Sequence, residues 1–274
     1  MSTTERIEPF AASQNTAGSE SASEPAFDTD VDGDVEVDNG SFDAAAFSAS
    51  ALSDWRKLAS VIDHTLLKPE ATRTQVENLC DEAVRYRFAC AMINPVWTAT
   101  AAAVLAGTGI PVGVVIGFPL GASLGSTLRH EAQALSRLGA RELDMVLSIG
   151  QLKSGDYKAV ERSIRGAVEV AHHHGAILKV ILETCLLTME EKLRASEIAI
   201  TAGADFLKTS TGFSTGGATA ADVALLRGVA GARAGVKASG GIRTLADAQA
   251  MLEAGASRIG ASASVAIVRE LGAE

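Results

Sequence analysis

The sequence predicts an α/β protein, a (β/α)8 TIM barrel that follows a disordered acidic N-terminal extension. Three observations lead to this fold. From Leu58 onward, eight short apolar runs alternate with stretches of helical periodicity. Successive runs lie 23 to 39 residues apart, which is enough for a strand, a crossover helix and two loops. The end of the first run and the residues after it read DHTLLKPE, without the glycine-rich fingerprint that the alternative fold, a doubly wound open sheet, has at this position.

The acidic extension is defined by its charge. Residues 1–53 contain 11 of the 33 acidic residues but only Arg6 of the 24 basic residues. Such a segment has too little apolar surface to offset the entropy of ordering it. We therefore divide the chain into a disordered acidic tail, 1–53, and a barrel domain, 54–274. The barrel domain has 22 acidic and 23 basic residues, and this balance gives no electrostatic footprint for nucleic acid.

The alternating acids of the tail allow one other interpretation, a calcium loop. Asp30, Asp32 and Asp34 occupy positions one, three and five of such a loop. However, Gly33 falls at position four rather than six, and Ser41 stands where the loop needs a glutamate. A solvated tail is the better interpretation.

The eight apolar runs are predicted to be eight strands. The position of each strand end is given below by one residue near it. The runs are SVIDHTLL, FACAMIN, VGVVIGF, RELDMVLSI, ILKVILET, ADFLKTST, GVKASG and SRIGAS, marked by Asp63, Asn94, Gly117, Asp144, Glu183, Lys208, Lys237 and Gly260. Helical periodicity is clear over 74–86, 128–138 and 156–174, and Gly175 is placed to end the last helix. In barrel enzymes the chemistry lies at the carboxyl ends of the strands.

Five charged residues interrupt strands that should be continuously apolar: Asp63, Asp144, Lys179, Lys208 and Lys237. One such residue alone is best explained as a paired structural ion or a strand end that reaches solvent. Five charged residues in one barrel interior indicate a functional site, because burying each ion costs several kcal/mol.

The lysines among them suit one kind of chemistry. A neutral lysine can attack a carbonyl to form a Schiff base, and a neighbouring ammonium group together with burial lowers the pKa of a lysine.

The loops after the last three strands are rich in glycine and serine. They read TSTGFSTGG over 209–217, ASGGIRT over 238–244 and GASASV over 260–265. One such loop is as easily a simple turn. In barrels, however, the loops after strands seven and eight commonly hold a phosphate group with backbone amides. The sequence therefore favours a phosphorylated substrate.

Cysteine use and hydropathy predict a cytoplasmic protein that does not enter a membrane. The three cysteines, Cys80, Cys90 and Cys185, form neither a disulfide framework nor a zinc motif. The start of the chain lacks the pattern of a signal peptide. Residues 88–128 carry no charge, but Pro95 and Pro111 interrupt this stretch before it reaches the length of a membrane span.

Five motifs together resemble the deoxyribose-phosphate aldolase family. They are DHTLL (63–67), ELDMV (142–146), KVILETCLL (179–187), KTSTGF (208–213) and VKASGGIRT (236–244). The likeness covers about residues 58–268. It implies a class I aldolase, free of metal and cofactor, that reversibly cleaves 2-deoxy-D-ribose 5-phosphate to acetaldehyde and D-glyceraldehyde 3-phosphate. The phosphorylated sugar and acetaldehyde are the expected partners. The oligomeric state stays open, with a homodimer among the assemblies considered.

The resemblance also assigns roles to residues. Lys208 would be the Schiff-base nucleophile, Lys237 the cation that lowers its pKa, and Asp144 a proton relay through water. The expected substrate contacts are Asp63, Thr65, Lys179, Gly212, Gly240, Gly241, Gly260 and Ser262, of which the glycines and Ser262 would hold the phosphate. The chain departs from the family at Met92, Ser148 and Ala263, where many members have cysteine, asparagine and serine. These changes should alter sensitivity to aldehyde and weaken one phosphate contact.

Two rival functions and a few further residues complete the sequence-based expectations. The rivals are a Schiff-base barrel aldolase for another sugar phosphate and a non-catalytic barrel that binds sugar phosphates. His172, His173 and His174 are consecutive on a predicted helix and point in different directions, which does not suit a metal site. Histidines in the last turn of a helix are favoured by the helix dipole, and this is the better interpretation. Glu183 is expected to pair with Lys179, and Cys185 to be packed apolar volume.

Overall fold

In the computed structural model, which describes residues 42–274, eight parallel strands form a closed barrel in sequential order. The strands are β1 (Ile62–Leu66), β2 (Cys90–Ile93), β3 (Val112–Ile116), β4 (Ala140–Val146), β5 (Ile177–Ile181), β6 (Phe206–Lys208), β7 (Gly235–Ser239) and β8 (Arg258–Ala261). β8 pairs with β1 and closes the sheet. The predicted (β/α)8 barrel is confirmed.

Helices surround the barrel. They are α1 (Ala44–Ala51), α2 (Trp55–Ala59), α3 (Arg73–Tyr86), α4 (Thr98–Val104), α5 (Gly125–Arg137), α6 (Ile149–Lys153), α7 (Tyr157–His173), α8 (Met189–Thr201), α9 (Ala220–Ala230), α10 (Leu245–Glu253) and α11 (Ser264–Glu270). Two single 3-10 turns, Pro95–Trp97 and Thr184–Leu186, follow β2 and β5. In the described part of the chain no helix is long and apolar enough to cross a membrane.

Local sequence signals fix the helix ends close to where the periodicity predicts them. Capping boxes built on Thr72, Thr188 and Thr244 start α3, α8 and α10, because each threonine hydroxyl satisfies a free amide of the first turn. Asp156 caps α7 in the same way. Gly175 follows α7 with a φ of 66°, a left-handed conformation that glycine adopts without strain, and the helix ends there as predicted.

The predicted boundary of the acidic tail at residue 53 needs correction, because α1 lies before it. Asp43 caps α1 by accepting a hydrogen bond from the Ala46 amide at 2.9 Å. Phe47 packs against the hydrophobic core, and the Arg227 guanidinium lies 3.9 Å from the centroid of the Phe42 ring. The boundary was drawn from the distribution of charge. That distribution does not reveal α1, because an uncharged, alanine-rich segment directly follows the acidic residues. The rest of the predicted tail and the calcium-loop alternative lie outside the described residues.

The barrel interior has an apolar side and a charged side. A small cluster of buried side chains, Leu67, Cys90, Met92 and Val115, fills the interior beside β1, β2 and β3. The charged residues come from β1 and from β4 to β8. The larger core lies between the outer faces of the strands and the helices. Burying charge on most of the strands costs stability, and the barrel interior is therefore the candidate functional part of the molecule.

Candidate active site

The five charged residues that interrupt the strands lie together inside the barrel, as the sequence predicts. Asp63, Asp144, Lys179, Lys208 and Lys237 are each 2% exposed or less. The strand register brings them side by side, because Asp144 is level with Lys179 across β4 and β5 and Lys208 is level with Lys237 across β6 and β7. Residues in register on adjacent strands point to the same face of a sheet, which here is the barrel interior.

Asp144 is the centre of this cluster. Its Oδ2 atom accepts hydrogen bonds from Lys208 Nζ at 2.7 Å and from Lys237 Nζ at 2.6 Å, and its Oδ1 atom accepts one from Lys179 Nζ at 2.9 Å. Burial by itself would raise the pKa of this carboxyl group, but the three ammonium groups hold the pKa well below its usual range. Asp144 is therefore an ionised carboxylate that links two lysines through one oxygen.

Lys208 has an unusually acidic ammonium group. Burial is the largest cause, and the pKa of Lys208 falls from 10.5 to about 8, because desolvation disfavours the charged form. Asp144 opposes this change, whereas the positive charges of Lys237 and Lys179 add to it. The resemblance names Lys237 as the cause of the low pKa. In the structure the positive charge of Lys237 lowers the pKa of Lys208 by less than burial does. A lysine with this pKa is partly neutral near neutral pH, which a nucleophilic amine requires.

Lys179 shows the opposite behaviour although it is equally buried. Its Nζ atom lies 2.5 Å from Glu142 Oε2, 2.9 Å from Asp144 Oδ1 and 3.5 Å from Asp63 Oδ2. Burial by itself would lower the pKa of Lys179, but the three carboxylates raise it well above its usual range. Lys179 therefore stays protonated and holds the carboxylates in place.

Two members of the charged network were not singled out from the sequence. Arg258 Nη1 lies 2.6 Å from Asp63 Oδ1 and 3.4 Å from Glu142 Oε1. Burial by itself would raise the pKa of Asp63, but the positive charges of Lys237, Lys179 and Arg258 hold it below its usual range. Arg258 begins the last strand and Glu142 lies two residues before Asp144, so the two-residue period of a strand could have found Glu142.

A cavity of about 280 Å³ opens above Lys208 at the carboxyl ends of the strands. Six of the predicted substrate residues line it, together with Lys208: Thr65, Gly212, Gly240, Gly241, Gly260 and Ser262. Asp63 and Lys179 are not among its lining residues and belong to the charged network instead. The cavity wall also includes Lys68, Phe213 and Arg243, which the sequence analysis did not single out.

Glycine is required at several positions of this wall. Gly212, Gly240 and Gly241 have φ angles of 83°, 91° and 85°, which residues with a side chain rarely adopt. Gly260 serves a different purpose, because a Cβ atom there would lie 3.0 Å from Lys237 Cε and 2.9 Å from Ser239 Cβ. The absence of a side chain at Gly260 therefore leaves room for the Lys237 stem inside the barrel.

Two expectations about the segment after β5 are wrong. Glu183 does not pair with Lys179; its carboxylate accepts hydrogen bonds from the amide and the hydroxyl of Thr211. The backbone of Glu183 is left-handed, and this turns the side chain toward the loop after β6. Cys185 is exposed rather than packed, and its Sγ atom lies 3.4 Å from Ser214 Oγ. Apolar periodicity does not reveal a single left-handed residue, so the sequence could not show this turn.

The remaining singled-out residues lie away from the cavity wall. His172 and His173 are in the last turn of α7, as expected, and His172 Nε2 lies 2.9 Å from Asp205 Oδ2. Met92 is fully buried in β2. Of the other two departures from the family pattern, Ser148 directly precedes α6 and Ala263 directly precedes α11.

One group of side chains in the barrel has the composition of a metal site. Asp63, Cys90 and Glu142 bring their ligand atoms within 4.8 Å of one another. Both carboxylates already pair with buried cations, Asp63 with Lys237 and Glu142 with Lys179. A divalent cation among them would meet these ammonium groups at close range, so the donor set does not fit a metal.

The fold and this cluster define a barrel enzyme with a buried, partly neutral lysine. A family model described as "DeoC/LacD family aldolase" matches residues 57–269. Deoxyribose-phosphate aldolases from Geobacillus sp. (strain WCH70) and Bacillus mycoides (strain KBAB4) are 54% and 56% identical over 211 residues, which are 77% of this chain and 94% of each relative. The chain therefore belongs to the DeoC/LacD aldolase family, and it is an enzyme of the lyase class.

Solved structures agree with this assignment. One is described as the "unique tetrameric structure of deoxyribose phosphate aldolase from Aeropyrum pernix". It has a TM-score of 0.77 and 39% sequence identity, and the match covers 83% of this chain and 96% of that chain. Another, "QR15, an Aldolase", has a TM-score of 0.74 and 39% identity, with 77% and 94% covered.

Proposed function

We propose that the protein reversibly cleaves 2-deoxy-D-ribose 5-phosphate to acetaldehyde and D-glyceraldehyde 3-phosphate through a Schiff base on Lys208. The observation that carries this proposal is the Lys208 amine, which lines the cavity, contacts Asp144 and has a pKa of about 8. The names of the similar proteins support the substrate. A lysine of ordinary pKa is neutral in roughly one molecule in 2,500 at pH 7, and a pKa of 8 raises this to about one in ten.

In the proposed reaction the neutral Lys208 amine attacks the C1 aldehyde of the open-chain sugar. Protonation of the hydroxyl group of the resulting carbinolamine lets it leave as water and gives a protonated imine. A base takes the proton of the C3 hydroxyl, the C2–C3 bond breaks, and its electron pair moves toward the imine nitrogen to form an enamine. D-glyceraldehyde 3-phosphate leaves. Protonation of the enamine at C2 and hydrolysis then release acetaldehyde and return the free amine.

We assign the proton transfers of this reaction to Asp144 and Lys237. The same Asp144 oxygen accepts hydrogen bonds from Lys208 and from Lys237, so a proton can pass between the two amines through one carboxylate. Transfers to and from the substrate would run through a water molecule next to Asp144. Lys237 also adds positive charge beside Lys208, which favours the neutral amine.

We assign the phosphate end of the cavity to the glycine-rich loops after β6 and β7. Backbone amides in left-handed glycine segments form concave anion sites, and Gly212, Gly240 and Gly241 supply such segments. Lys68 and Arg243 line the same cavity and add two cations. Thr65, Gly260 and Ser262 complete the proposed set of substrate contacts.

Borohydride trapping tests the covalent step directly. Incubation with acetaldehyde and borohydride should fix a two-carbon adduct on the peptide that contains Lys208, with parallel loss of activity. Lys208→Ala should abolish the adduct, and excess EDTA should leave the reaction unchanged. Lys179 and Lys237 are the competing buried amines, so peptide mapping must accompany the intact mass. An adduct on Lys237, or one that survives in Lys208→Ala, would overturn the assignment.

A panel of sugar phosphates distinguishes the proposal from its two rivals. Cleavage of 2-deoxy-D-ribose 5-phosphate well above that of other phosphorylated aldoses and ketoses is the expected result. Efficient cleavage of another member would favour an aldolase of different substrate range, and binding without cleavage would favour a non-catalytic barrel. The proposal includes a cytoplasmic location, which is supported by the buried free thiols of Cys80 and Cys90.

A further inference from the structure

Glu183 is a buried acidic residue with no part in the mechanism above. Its carboxylate is 2% exposed, and both of its oxygens lie 3.3 Å from the Thr211 amide nitrogen. The Thr211 hydroxyl donates a further hydrogen bond to Oε2. The backbone at Glu183 has φ 57° and ψ 62°, a strained conformation for a residue with a side chain. Strain of this kind, combined with a buried charge, is concentrated at functional sites.

Through Thr211, Glu183 supports one wall of the cavity. Thr211, Gly212 and Phe213 all line the cavity next to Lys208, whereas Glu183 is not among its lining residues. The Thr211 hydroxyl, which donates to Glu183, also accepts a hydrogen bond from the Phe213 amide at 3.0 Å. One chain of hydrogen bonds therefore runs from the buried carboxylate to the rim of the cavity.

The same loop supports the second wall. The Ala218 amide donates a hydrogen bond to the Gly240 carbonyl oxygen at 3.0 Å. Gly240 also packs closely against Gly212, since a Cβ atom on Gly240 would lie 3.5 Å from Gly212 Cα. A shift of the loop after β6 would therefore displace both segments that we assign to the phosphate end of the cavity.

We propose that Glu183 is a positioning residue that sets the affinity for the phosphate end of the substrate by fixing the loop from Thr211 to Phe213. This inference rests on the proposed function. Glu183 acts at a distance from the amine chemistry, because its side chain accepts hydrogen bonds from Thr211 and Cys185 and not from the charged network around Lys208. Its loss should weaken substrate binding while leaving imine formation intact.

The central experiment compares Glu183→Ala with the wild-type enzyme in two assays. In steady-state cleavage of 2-deoxy-D-ribose 5-phosphate, we expect KM to rise about tenfold or more, which is the usual effect of losing a buried hydrogen bond to a charged group. kcat should change much less. In borohydride trapping with acetaldehyde, which has no phosphate, the adduct yield and its dependence on pH should match those of the wild type.

Three further variants make the test specific. Thr211→Val removes the partner hydroxyl, and its effect on KM should not add to that of Glu183→Ala. Glu183→Gln keeps one acceptor oxygen and should restore part of the affinity. Glu131→Ala is the matched control: Glu131 accepts a hydrogen bond from the Gly117 amide at 3.0 Å, outside the cavity wall, and its loss should leave KM unchanged. Circular dichroism and thermal melting establish whether each variant is folded. If Glu183→Ala does not fold, the KM of Thr211→Val tests the proposal in its place.

The outcomes separate this proposal from the proposed function. If wild-type enzyme is neither trapped nor able to cleave the sugar phosphate, the proposed function fails. If wild type behaves as expected but Glu183→Ala keeps its KM, or loses trapping in parallel with cleavage, the positioning role is refuted. Additive effects of Glu183→Ala and Thr211→Val would also refute it, because the two residues would then act independently.

Discussion

Lys208 and Lys179 show how one type of residue acquires opposite properties in the same barrel. Both are buried, and both contact Asp144. Lys179 has three carboxylates within 4.0 Å, and these outweigh the cost of its burial. Among residues 42–274, the one carboxylate within this distance of Lys208 is that of Asp144, which also contacts Lys237. The number of carboxylates around each amine therefore separates a permanent cation from an amine that can lose its proton near neutral pH.

The role of Lys237 leads to a prediction about the pH profile. In Lys237→Leu, Asp144 loses one cation and Lys208 loses a neighbouring positive charge, so the pKa of Lys208 should rise. The neutral amine then becomes scarce at pH 7, and kcat/KM should fall by about 100-fold or more. We expect the increase of kcat/KM with pH, near pH 8 in the wild type, to move to higher pH. A rate that falls with an unshifted profile would instead make Lys237 a substrate-binding group.

At the scale of elements, α1 is an integral part of the barrel's outer layer. It contacts α10, and Phe47 packs on the core. Removing residues 1–53 should therefore lower the free energy of unfolding by roughly 1–3 kcal/mol, the value of one or two buried apolar side chains. For a domain of this size, that lowers Tm by about 2–4 °C per kcal/mol.

Removal of 1–41 alone is the control for this prediction. These residues carry most of the acids of the predicted tail, and from composition we expect their loss to leave Tm and turnover nearly unchanged. Thermal melting of both truncated proteins and of Phe47→Ala provides the measurement. Equal Tm values for the two truncated proteins would show that α1 adds no stability. A large loss on removing 1–41 would show that the acidic segment itself contributes.

The eight strands were predictable because a parallel barrel imposes both apolar runs and a repeated spacing. Lys208 and Lys237 were predictable as members of the buried charged cluster for the same reason, since a charged residue inside an apolar run can be recognised from the sequence alone. The hydrogen-bond partners of Glu183 and Arg258 were not predictable from the sequence. Thr211 is 28 residues from Glu183, and Asp63 is 195 residues from Arg258, so these contacts exist only once the barrel closes. Short-range patterns also could not separate α1 from the acids before it.

Over the whole molecule, the barrel interior holds one more potential cation than anion. The buried network consists of Lys179, Lys208, Lys237 and Arg258 with Asp63, Asp144 and Glu142. With every group ionised, it carries one excess positive charge in a medium that solvates charge poorly. Deprotonation of one lysine removes that excess charge. Lys208, with a pKa of about 8, is the amine that can lose its proton near neutral pH. The balance of charges thus favours the neutral form of Lys208, the proposed nucleophile.

This balance predicts that Lys208, the proposed nucleophile, lowers the stability of the protein. The pKa of Lys208 is about 8 in the folded state and 10.5 as its ordinary value, so between these pH values the unfolded chain binds more protons and stability rises with pH. Below pH 8 the full cost applies, on the order of 3 kcal/mol for this shift. Lys208→Met keeps the side-chain length and leaves Asp144 paired with Lys179 and Lys237. At pH 7 we therefore expect Lys208→Met to be inactive but more stable than the wild type by about that amount.

Lys179→Met is the matched comparison, because it removes a lysine whose pKa is raised by carboxylates. Its loss leaves Glu142 without its nearest buried cation and should destabilise the protein by about 3–5 kcal/mol. Chemical denaturation at pH 7 and at pH 10 measures both effects. The advantage of Lys208→Met should shrink toward pH 10, where the wild-type lysine is neutral in the folded state. If Lys208→Met were less stable at pH 7, or its advantage did not depend on pH, burial of a charged Lys208 would not be the source of the cost.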